Sequence, residues 1–473
     1  MRFKGTIFLT LLLILLGFYL YGVEFPGEEK KKEAFVREGK LYHFEMHEIS
    51  RITIRAPKGE VEFEYFPGHP TTPWRIFHPV ETVANQSAAE EVANRIIGLR
   101  ASRLVEAKPK ELKEFGLDPA PYRVLVTINQ TDTEIIELGD ENLTGTDVYL
   151  RKGMGTSLYL VPAGIKELLN KDLNDWRQRE IFPFAPEDIL NIEMTTEKGV
   201  LSFKKETGGW SMESKPSEHE KAAPLKVRGD HSAIANLLGT LVNFRGERFI
   251  DFKKRQWKQT FGPPLLRVAL QVSKVRKEAT FHTDNMNPGI VYAVMATDFD
   301  PIFQIPESDL KAVNQAFDTY RDRRLIPLDF PEQIQTIIIK RGKTTYTLTK
   351  KNGTWWLEGE AEPRKIINLN RLSRLQTDLY HLQLDEFKDH VKPQSADAGL
   401  ARPRLSIVLK DKNGVALGEM DFGRTTGEMI FAKSSGQPYP FLIKKSVLDL
   451  IPDTKIFLNA PVSKKEAALT ETS

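Results

Sequence analysis

The sequence predicts an α+β protein in which an N-terminal transmembrane helix is followed by three tandem repeats. Each repeat is expected to be a mostly antiparallel sheet with two amphipathic helices. Two observations carry this prediction: an apolar run close to the N-terminus, and strand-like and helix-like stretches that recur in one order with a period of about 140 residues. The length of 473 residues also equals about three domains of ordinary size.

The apolar run extends from Gly5 to Val23 and follows two basic residues, Arg2 and Lys4. As a helix it would span roughly 28 Å, close to the thickness of a bilayer core. It ends without a small-residue cleavage site, which favours an uncleaved anchor over a signal peptide. The basic flank predicts a cytoplasmic N-terminus and a periplasmic bulk at a bacterial inner membrane. The lipid bilayer is therefore an expected partner, through residues 5–23.

Composition excludes several classes of function. Lysine and arginine number 67 against 64 aspartates and glutamates, so no basic field is available to attract nucleic acid, and we expect no such partner. The chain contains no cysteine. Disulfides, thiol catalysis and cysteine-ligated metal centres are therefore excluded.

The repeat boundaries follow from the recurring order of patterns. A Trp-x-aliphatic step stands at Trp74, Trp210 and Trp355, and an amphipathic helix pattern follows each of them. We expect these tryptophans to fill the cores between sheet and helix. The predicted segments are a transmembrane anchor, a juxtamembrane stalk, three repeat domains and a disordered tail: 1–23, 24–44, 45–183, 184–328, 329–458 and 459–473.

Clustered charge next to an aromatic residue marks the ends of the first two repeats. Because arginine forks bind carboxylates and phosphates, one interpretation is a site for an anionic partner. The other is an inter-domain salt-bridge cluster at a hinge, which we favour because the third repeat, with no repeat after it, lacks the motif. The predicted junction residues are Asp175, Trp176, Arg177, Arg179, Tyr320, Arg321 and Arg323.

Residues that could hold a metal or perform catalysis are sparse. His43, Glu45 and His47 would share one face of a strand, but no fourth ligand accompanies them, so a solvated face is the preferred interpretation. The sequence has no glycine-rich phosphate loop, dinucleotide fingerprint, nucleophile elbow or His-Glu-x-x-His motif. We therefore expect no catalytic residue, no cofactor and no metal.

Motifs of the first repeat resemble those of a bacterial envelope family, the domain-of-unknown-function family four-three-four-zero. Members of that family typically carry an N-terminal membrane anchor and tandem copies of the domain, and are often encoded beside gliding-motility-type ABC transporters. The second repeat departs from the pattern, since Phe281-His282 replaces the Leu-Gly step. The motifs are, in order, Phe115-Gly116-Leu117-Asp118-Pro119, Leu138-Gly139-Asp140, Val148-Tyr149-Leu150, Tyr159-Leu160-Val161-Pro162 and Asp175-Trp176-Arg177.

The resemblance implies a single-pass, membrane-anchored extracytoplasmic accessory or scaffold protein, with ABC transporter subunits as its membrane protein partners. Two alternatives stay open. One is a protein that binds an envelope lipid or glycan in clefts between its domains. The other is a hydrolase whose site is assembled from carboxylates or histidines of different repeats. The transporter association is an analogy, because a fold does not determine a function.

Overall fold

The computed structural model describes the chain from residue 39 to residue 458 with short gaps. The chain divides into two compact units. One consists of Met1–Asp188 and Gly239–Val313, and the other consists of Ile189–Leu238 and Asn314–Ser473. The described residues are 39–69, 72–106, 109–155, 157–217, 223–251, 261–284, 287, 289–296, 301–359, 363–366, 368–392, 395–451 and 455–458.

The described chain contains three nine-stranded sheets. The strands of the first repeat are β1 Ile49–Ala56, β2 Gly59–Tyr65, β3 Trp74–His78, β4 Thr82–Val83, β5 Arg103–Glu106, β6 Tyr122–Ile128, β7 Asp132–Glu141, β8 Asp147–Lys152 and β9 Ser157–Pro162. Its helices are α1 Gln86–Ile97, α2 Gly164–Leu169 and α3 Leu173–Trp176, and its 3₁₀ turns are Met46–Glu48 and Pro109–Phe115.

The described residues of the second repeat form nine strands and two helices. The strands are β10 Asn191–Thr196, β11 Gly199–Glu206, β12 Gly209–Pro216, β13 Leu225–Arg228, β14 Arg248–Ile250, β15 Leu266–Val272, β16 Val275–Thr283, β17 Ile290–Met295 and β18 Ile302–Pro306. The helices are α4 His231–Val242 and α5 Glu307–Val313, and the 3₁₀ turns are Pro186–Asp188 and Phe317–Thr319.

The third repeat is built in the same way. Its strands are β19 Thr336–Arg341, β20 Thr344–Lys351, β21 Thr354–Glu358, β22 Arg364–Lys365, β23 Glu386–Phe387, β24 Leu405–Lys410, β25 Ala416–Thr426, β26 Met429–Ser434 and β27 Phe441–Lys444. Its helices are α6 Leu369–Tyr380 and α7 Lys455–Leu458, and its 3₁₀ turns are Pro331–Gln333 and Lys445–Leu450.

Strand order is the same in all three repeats. In the first sheet it is β4-β3-β2-β1-β6-β7-β8-β9-β5, and the other two sheets repeat this order. The fourth and fifth strands are therefore the two edges, and the twelve-residue helix between them carries the chain from one edge to the other. The junctions between consecutive repeats involve two segments, one just before this helix and one just after it.

An Asn or Asp side chain begins each of these long helices. The carboxamide oxygen of Asn85 accepts a hydrogen bond from the Ala88 N–H at 3.2 Å, and Asp230 and Asn368 form the equivalent caps of α4 and α6. Such caps satisfy backbone donors that the first turn of a helix leaves free. In the first repeat, α1 then buries Val92 and Ile96 in the core.

The α+β class predicted from the sequence is wrong, because sheet dominates every repeat. The closing helices are short where two full amphipathic helices were expected: α2 has six residues and α3 has four. Edge strands such as β4, with two residues, are too short to produce a period-two pattern, so the sequence prediction left them out.

The predicted transmembrane helix is also not part of the fold that is described. Between residues 39 and 458, no described helix is long and apolar enough to cross a membrane. The anchor expected over residues 5–23 lies outside the described residues, as do the stalk before residue 39 and the tail 459–473.

Candidate functional site at the repeat junctions

The first junction begins with Trp176, at the end of α3. Its side chain is 2% exposed and packs edge-on against Phe63 of β2, with 5.4 Å between ring centroids. Its carbonyl accepts a hydrogen bond from the Asn85 N–H at 2.7 Å. Trp176 therefore packs the end of the first repeat against the sheet of the same repeat, and its carbonyl binds the start of α1.

Arg177, the next residue, carries a buried charge. Its Nη1 donates to Oδ2 of Asp251 at 3.1 Å, and its Nη2 donates to Oδ1 of the same carboxylate at 2.5 Å. The guanidinium lies 3.9 Å from the ring centroid of Phe249. A bidentate ion pair with Asp251 and a cation–π contact with Phe249 therefore hold this arginine against β14 of the second repeat and the residue that follows it.

The backbone of the linker is paired as well. The Gly246 N–H donates to the Arg179 carbonyl at 2.9 Å, and the Ile181 N–H donates to the Phe244 carbonyl at 3.0 Å. Gly246 allows this approach, since a Cβ at this position would lie 1.9 Å from the Phe303 ring. The linker is thus paired, through an isolated antiparallel bridge between Glu180 and Arg245, with the segment that follows α4.

The second junction repeats the aromatic contact. Tyr320 is 3% exposed and packs edge-on against Phe203, with 5.3 Å between ring centroids. Its carbonyl accepts a hydrogen bond from the Asp230 N–H at 2.7 Å. Burial raises the pKa of the Tyr320 hydroxyl to about 12, so it stays protonated.

Arg321 repeats the charge contact. Its Nη1 and Nη2 donate to the two carboxylate oxygens of Asp389 at 2.6 and 2.9 Å, and Nη1 also donates to Asp318 at 3.1 Å. Its guanidinium lies 3.4 Å from the ring centroid of Phe387. The two junctions therefore use one arrangement: an aromatic residue, then an arginine held between a phenyl ring and a carboxylate.

The receiving residues form a Phe-x-Asp motif, Phe249-Ile250-Asp251 in the second repeat and Phe387-Lys388-Asp389 in the third. We call these two copies the receptor motif. They are not among the residues predicted from the sequence. The available signal was the recurrence of Phe-x-Asp at the same distance after the long helix in both repeats, where β14 and β23 contain only three and two residues.

The second junction also contains a fully buried carboxylate, Asp322. Its oxygens accept hydrogen bonds from Nη2 of Arg324 at 2.7 Å and from Nε of Arg228 at 2.8 Å. Burial alone would raise the pKa of Asp322, but the bonds from Arg324 and the charge of Arg228 outweigh it and hold the pKa below 3.8. This carboxylate therefore stays charged inside the junction.

The other predicted junction residues play smaller parts. The guanidinium groups of Arg179 and Arg323 lie 5.7 and 5.3 Å from the rings of the receptor motifs, and Nη1 of Arg323 donates to the Asp385 carbonyl at 2.8 Å. Asp175 is not part of the arginine cluster. Its carboxylate accepts from the Asp172 N–H at 3.3 Å and so caps the start of α3.

The third repeat has half of the junction motif, which the sequence pattern did not predict. The carbonyl of Phe457, in α7, accepts from the Asn368 N–H at 3.2 Å, as Trp176 and Tyr320 do in their repeats. Phe457 is fully buried. Leu458 follows it where the other repeats have an arginine, so the aromatic contact within the repeat is kept without the arginine.

The three predicted core tryptophans lie in equivalent strands, β3, β12 and β21. Trp74, Trp210 and Trp355 are 0%, 5% and 7% exposed. The Trp74 N–H and carbonyl both bond the carboxamide of Gln86, at 2.9 and 3.0 Å, at the start of α1. Each of these side chains belongs to a core, and none lies at a junction arginine.

The glycine motifs of the family pattern mark a close backbone approach. A Cβ on Gly139 would lie 2.0 Å from the Phe115 carbonyl oxygen, and one on Gly423 would lie 2.2 Å from the Ala398 oxygen. His282 takes this place in the second repeat, where its Nδ1–H donates to the Gly262 carbonyl at 2.8 Å. Burial, together with the nearby Arg267 charge, lowers the pKa of His282.

The conceivable metal site at the start of the first repeat is open to solvent. His47 and Glu45 are exposed and lie 3.4 Å apart, and His43 is exposed as well. Within the described ranges, no three His, Cys, Asp or Glu side chains are placed to hold a metal ion.

The chemistry of the junctions is that of a structural contact. Arg177 and Arg321 are each 2% exposed and already bind a carboxylate through both terminal nitrogens. A guanidinium in this state has no open face for an external phosphate or carboxylate. The geometry therefore supports the salt-bridge interpretation over the anion-binding one.

Solved structures give only a distant likeness, and no curated protein matches the sequence. The DNA polymerase III subunit beta from Pseudomonas aeruginosa is 8% identical, with 68% of this chain and 82% of that chain covered and a TM-score of 0.12. Caulobacter crescentus pol III beta is 9% identical, with 88% and 96% covered and a TM-score of 0.16. At these scores the likeness carries no argument about fold or function.

A family model matches the chain twice, over residues 74–262 and 222–403. Together the matches cover well over half of the chain. Each match begins inside one repeat and ends inside the next, so each contains one complete junction, arginine and receptor motif included. The chain belongs to the family described as Domain of unknown function (DUF4340).

Proposed function

We propose that this protein is a non-catalytic scaffold that acts as an accessory to an envelope ABC transporter. The observation that supports the scaffold role is the junction arrangement, in which the buried arginines Arg177 and Arg321 are used to join repeats. The transporter association rests on the family analogy. The proposed position at the inner membrane, with a periplasmic bulk, rests on the composition of residues 5–23 and not on the fold.

Crosslinking in native membranes tests this proposal. A photo-crosslinking residue is placed at Leu143, which is fully exposed, and in a matched control at Leu150, which is fully buried. Mass spectrometry should recover transporter subunits from the Leu143 variant only. Recovery of no transporter subunit from either variant would contradict the accessory role.

Protease accessibility tests the proposed location. The bulk should be degraded once the outer barrier of the cell is permeabilised. Degradation only after the inner membrane is broken would place the bulk in the cytoplasm and reverse the proposed orientation.

A second candidate function is the binding of an envelope lipid or glycan. It is favoured by an open cavity of about 420 Å³ in the second unit, whose lining includes Trp210, Lys226, Arg228 and Ser435. Aromatic and cationic groups around such a cavity suit a sugar or an anionic headgroup. Native mass spectrometry of the purified chain should then show a bound lipid or glycan, and its loss in a Lys226→Glu variant. If the purified chain carries and binds neither a lipid nor a glycan, this second candidate function is wrong.

A further inference from the structure

Among the described residues, the first part of strand β2 lacks a pairing partner on the side of β3, and this distinguishes the first repeat from the second. In the second repeat, β11 pairs with β12 along its whole length, from Gly199↔Pro216 to Glu206↔Gly209. In the first repeat, the pairing of β2 with β3 ends at Glu62↔His78. Pro79 follows and has no N–H to continue the ladder. The first three residues of β2, 59–61, therefore have no pairing partner from β3.

The space beside this margin is open in the first repeat and filled in the second. Gly59 and Gly199 occupy equivalent positions with the same φ of +137°. A Cβ on Gly199 would lie 2.2 Å from the Lys215 carbonyl oxygen and 2.9 Å from the Pro216 Cα. Around a Cβ on Gly59, apart from its chain neighbours, no residue in the described part of the chain lies within 4 Å.

A cavity of about 260 Å³ occupies that space. Its apolar lining is supplied by Ile54, Val61, Leu169, Leu173 and Trp176, and Gly59 and Pro79 lie at its margin. Its polar lining is supplied by Lys58, Glu60, His78 and Lys171. A partner segment can bind a sheet as an additional strand, through main-chain hydrogen bonds to an unpaired strand and through a pocket for one of its side chains. The free part of β2 and the cavity beside it provide both.

The second repeat shows what occupies this place. There Val200 faces Lys215, and Pro216 comes next, opposite Gly199. In the first repeat the residue equivalent to Val200 is Glu60, whose carboxylate accepts a hydrogen bond from Nε of Arg55 at 2.9 Å and whose side chain is still 37% exposed. A lysine in the equivalent register would face this carboxylate across the strands, a pairing of opposite charges that stabilises a sheet.

We propose that the margin Gly59–Val61 and its cavity form a docking site for an extended partner segment carrying a basic residue followed by proline. We call this the β2 edge site. The segment extends the sheet beside β2, its basic residue faces Glu60, and its proline fills the cavity above Leu173. This inference rests on the proposed scaffold role, because the docking segment is taken to belong to a protein that the scaffold binds.

The probe is a peptide with the sequence of residues 214–217, Ser-Lys-Pro-Ser, because residues 214–216 lie opposite the equivalent margin, 199–201, in the second repeat. Binding of the fluorescein-labelled peptide to the purified full-length chain is followed by fluorescence anisotropy. A dissociation constant of about 1 mM is expected for so short a segment. The Leu173→Trp variant, whose larger side chain fills the cavity, should weaken binding about tenfold or more.

Matched controls separate the site from general effects. Leu143→Trp adds the same side chain at an exposed loop position and should bind like the wild type. Glu60→Lys, which reverses the charge opposite the peptide lysine, should weaken binding without filling the cavity. Hydrogen exchange should show that the peptide protects the amides of residues 59–61, a readout independent of both variants.

The inference is overturned by no saturable binding up to about 10 mM peptide, by equal affinity in the Leu173→Trp and wild-type chains, or by protection away from residues 59–61. Its failure is distinguishable from failure of the scaffold proposal. If the peptide binds but no transporter subunit is crosslinked, only the transporter association is contradicted. Crosslinks that persist in the Leu173→Trp variant would mean that the partner docks elsewhere.

Discussion

The first junction predicts an asymmetry between the two halves of one ion pair. The Arg177 side chain is 3% exposed, whereas that of Asp251 is 49% exposed. Removal of the carboxylate in Asp251→Ala leaves a buried guanidinium without its partner. Removal of the charge in Arg177→Met keeps most of the apolar stem and leaves a carboxylate that water already reaches. We therefore expect the change at the exposed residue to cost more than the change at the buried one.

The magnitudes follow from burial. Breaking a buried pair so that one charge stays unpaired costs about 3–5 kcal/mol, and Asp251→Ala falls in this range. For Arg177→Met, the lost charge-assisted hydrogen bonds and cation–π contact amount to about 3 kcal/mol before solvent screening. Because Asp251 is half exposed, screening reduces this to about 2 kcal/mol.

Urea unfolding of the purified variants, followed by tryptophan fluorescence, measures both free energies. Arg245→Ala is the matched control, since it removes an exposed ion pair with Glu180 at the same junction and should change stability by less than about 0.5 kcal/mol. An Arg177→Met variant that is less stable than Asp251→Ala would show that the unpaired buried charge does not decide the cost. So would equal effects of all three variants.

Three further predictions concern the cores. Trp176→Ala should cost about 3–5 kcal/mol and raise the radius of gyration measured by small-angle scattering; unchanged melting and scattering would contradict its role. Gly139→Ala should lower the melting temperature, because its Cβ would lie 2.0 Å from a carbonyl oxygen. Gly164→Ala should not, because around its Cβ no described residue lies within 4 Å, apart from its chain neighbours and its own helix backbone. The wild type should lose stability as pH falls below about 6.5, because the lowered pKa of His282 means that the unfolded chain binds the proton first. A His282→Gln variant with the same pH profile would show that this histidine is not responsible.

Repeat structure and core tryptophans were visible in the sequence because they follow from local periodicity. A strand or helix pattern depends on residues a few positions apart, and Trp74 and its equivalents stand within such patterns. The balance of sheet and helix was mistaken because edge strands of two to four residues carry too few positions to show alternation.

The receptor motif could not be predicted in the same way. Arg177 and Asp251 are 74 residues apart, and Arg321 and Asp389 are 68 apart, so no local pattern connects them. The β2 edge site is equally non-local. It depends on where the pairing of β2 with β3 stops, which becomes visible only when the registers of two repeats are compared.

We interpret the junction arginines as structural contacts between repeats and not as a site for an external anion. A double-mutant cycle on Arg321→Met and Asp389→Ala tests it most directly at the second junction, where the two side chains share two hydrogen bonds. We predict a coupling free energy of about 2 kcal/mol in urea unfolding, unchanged by added phosphate. A coupling within about 0.5 kcal/mol of zero, or a wild type stabilised by phosphate in an Arg321-dependent way, would contradict the account.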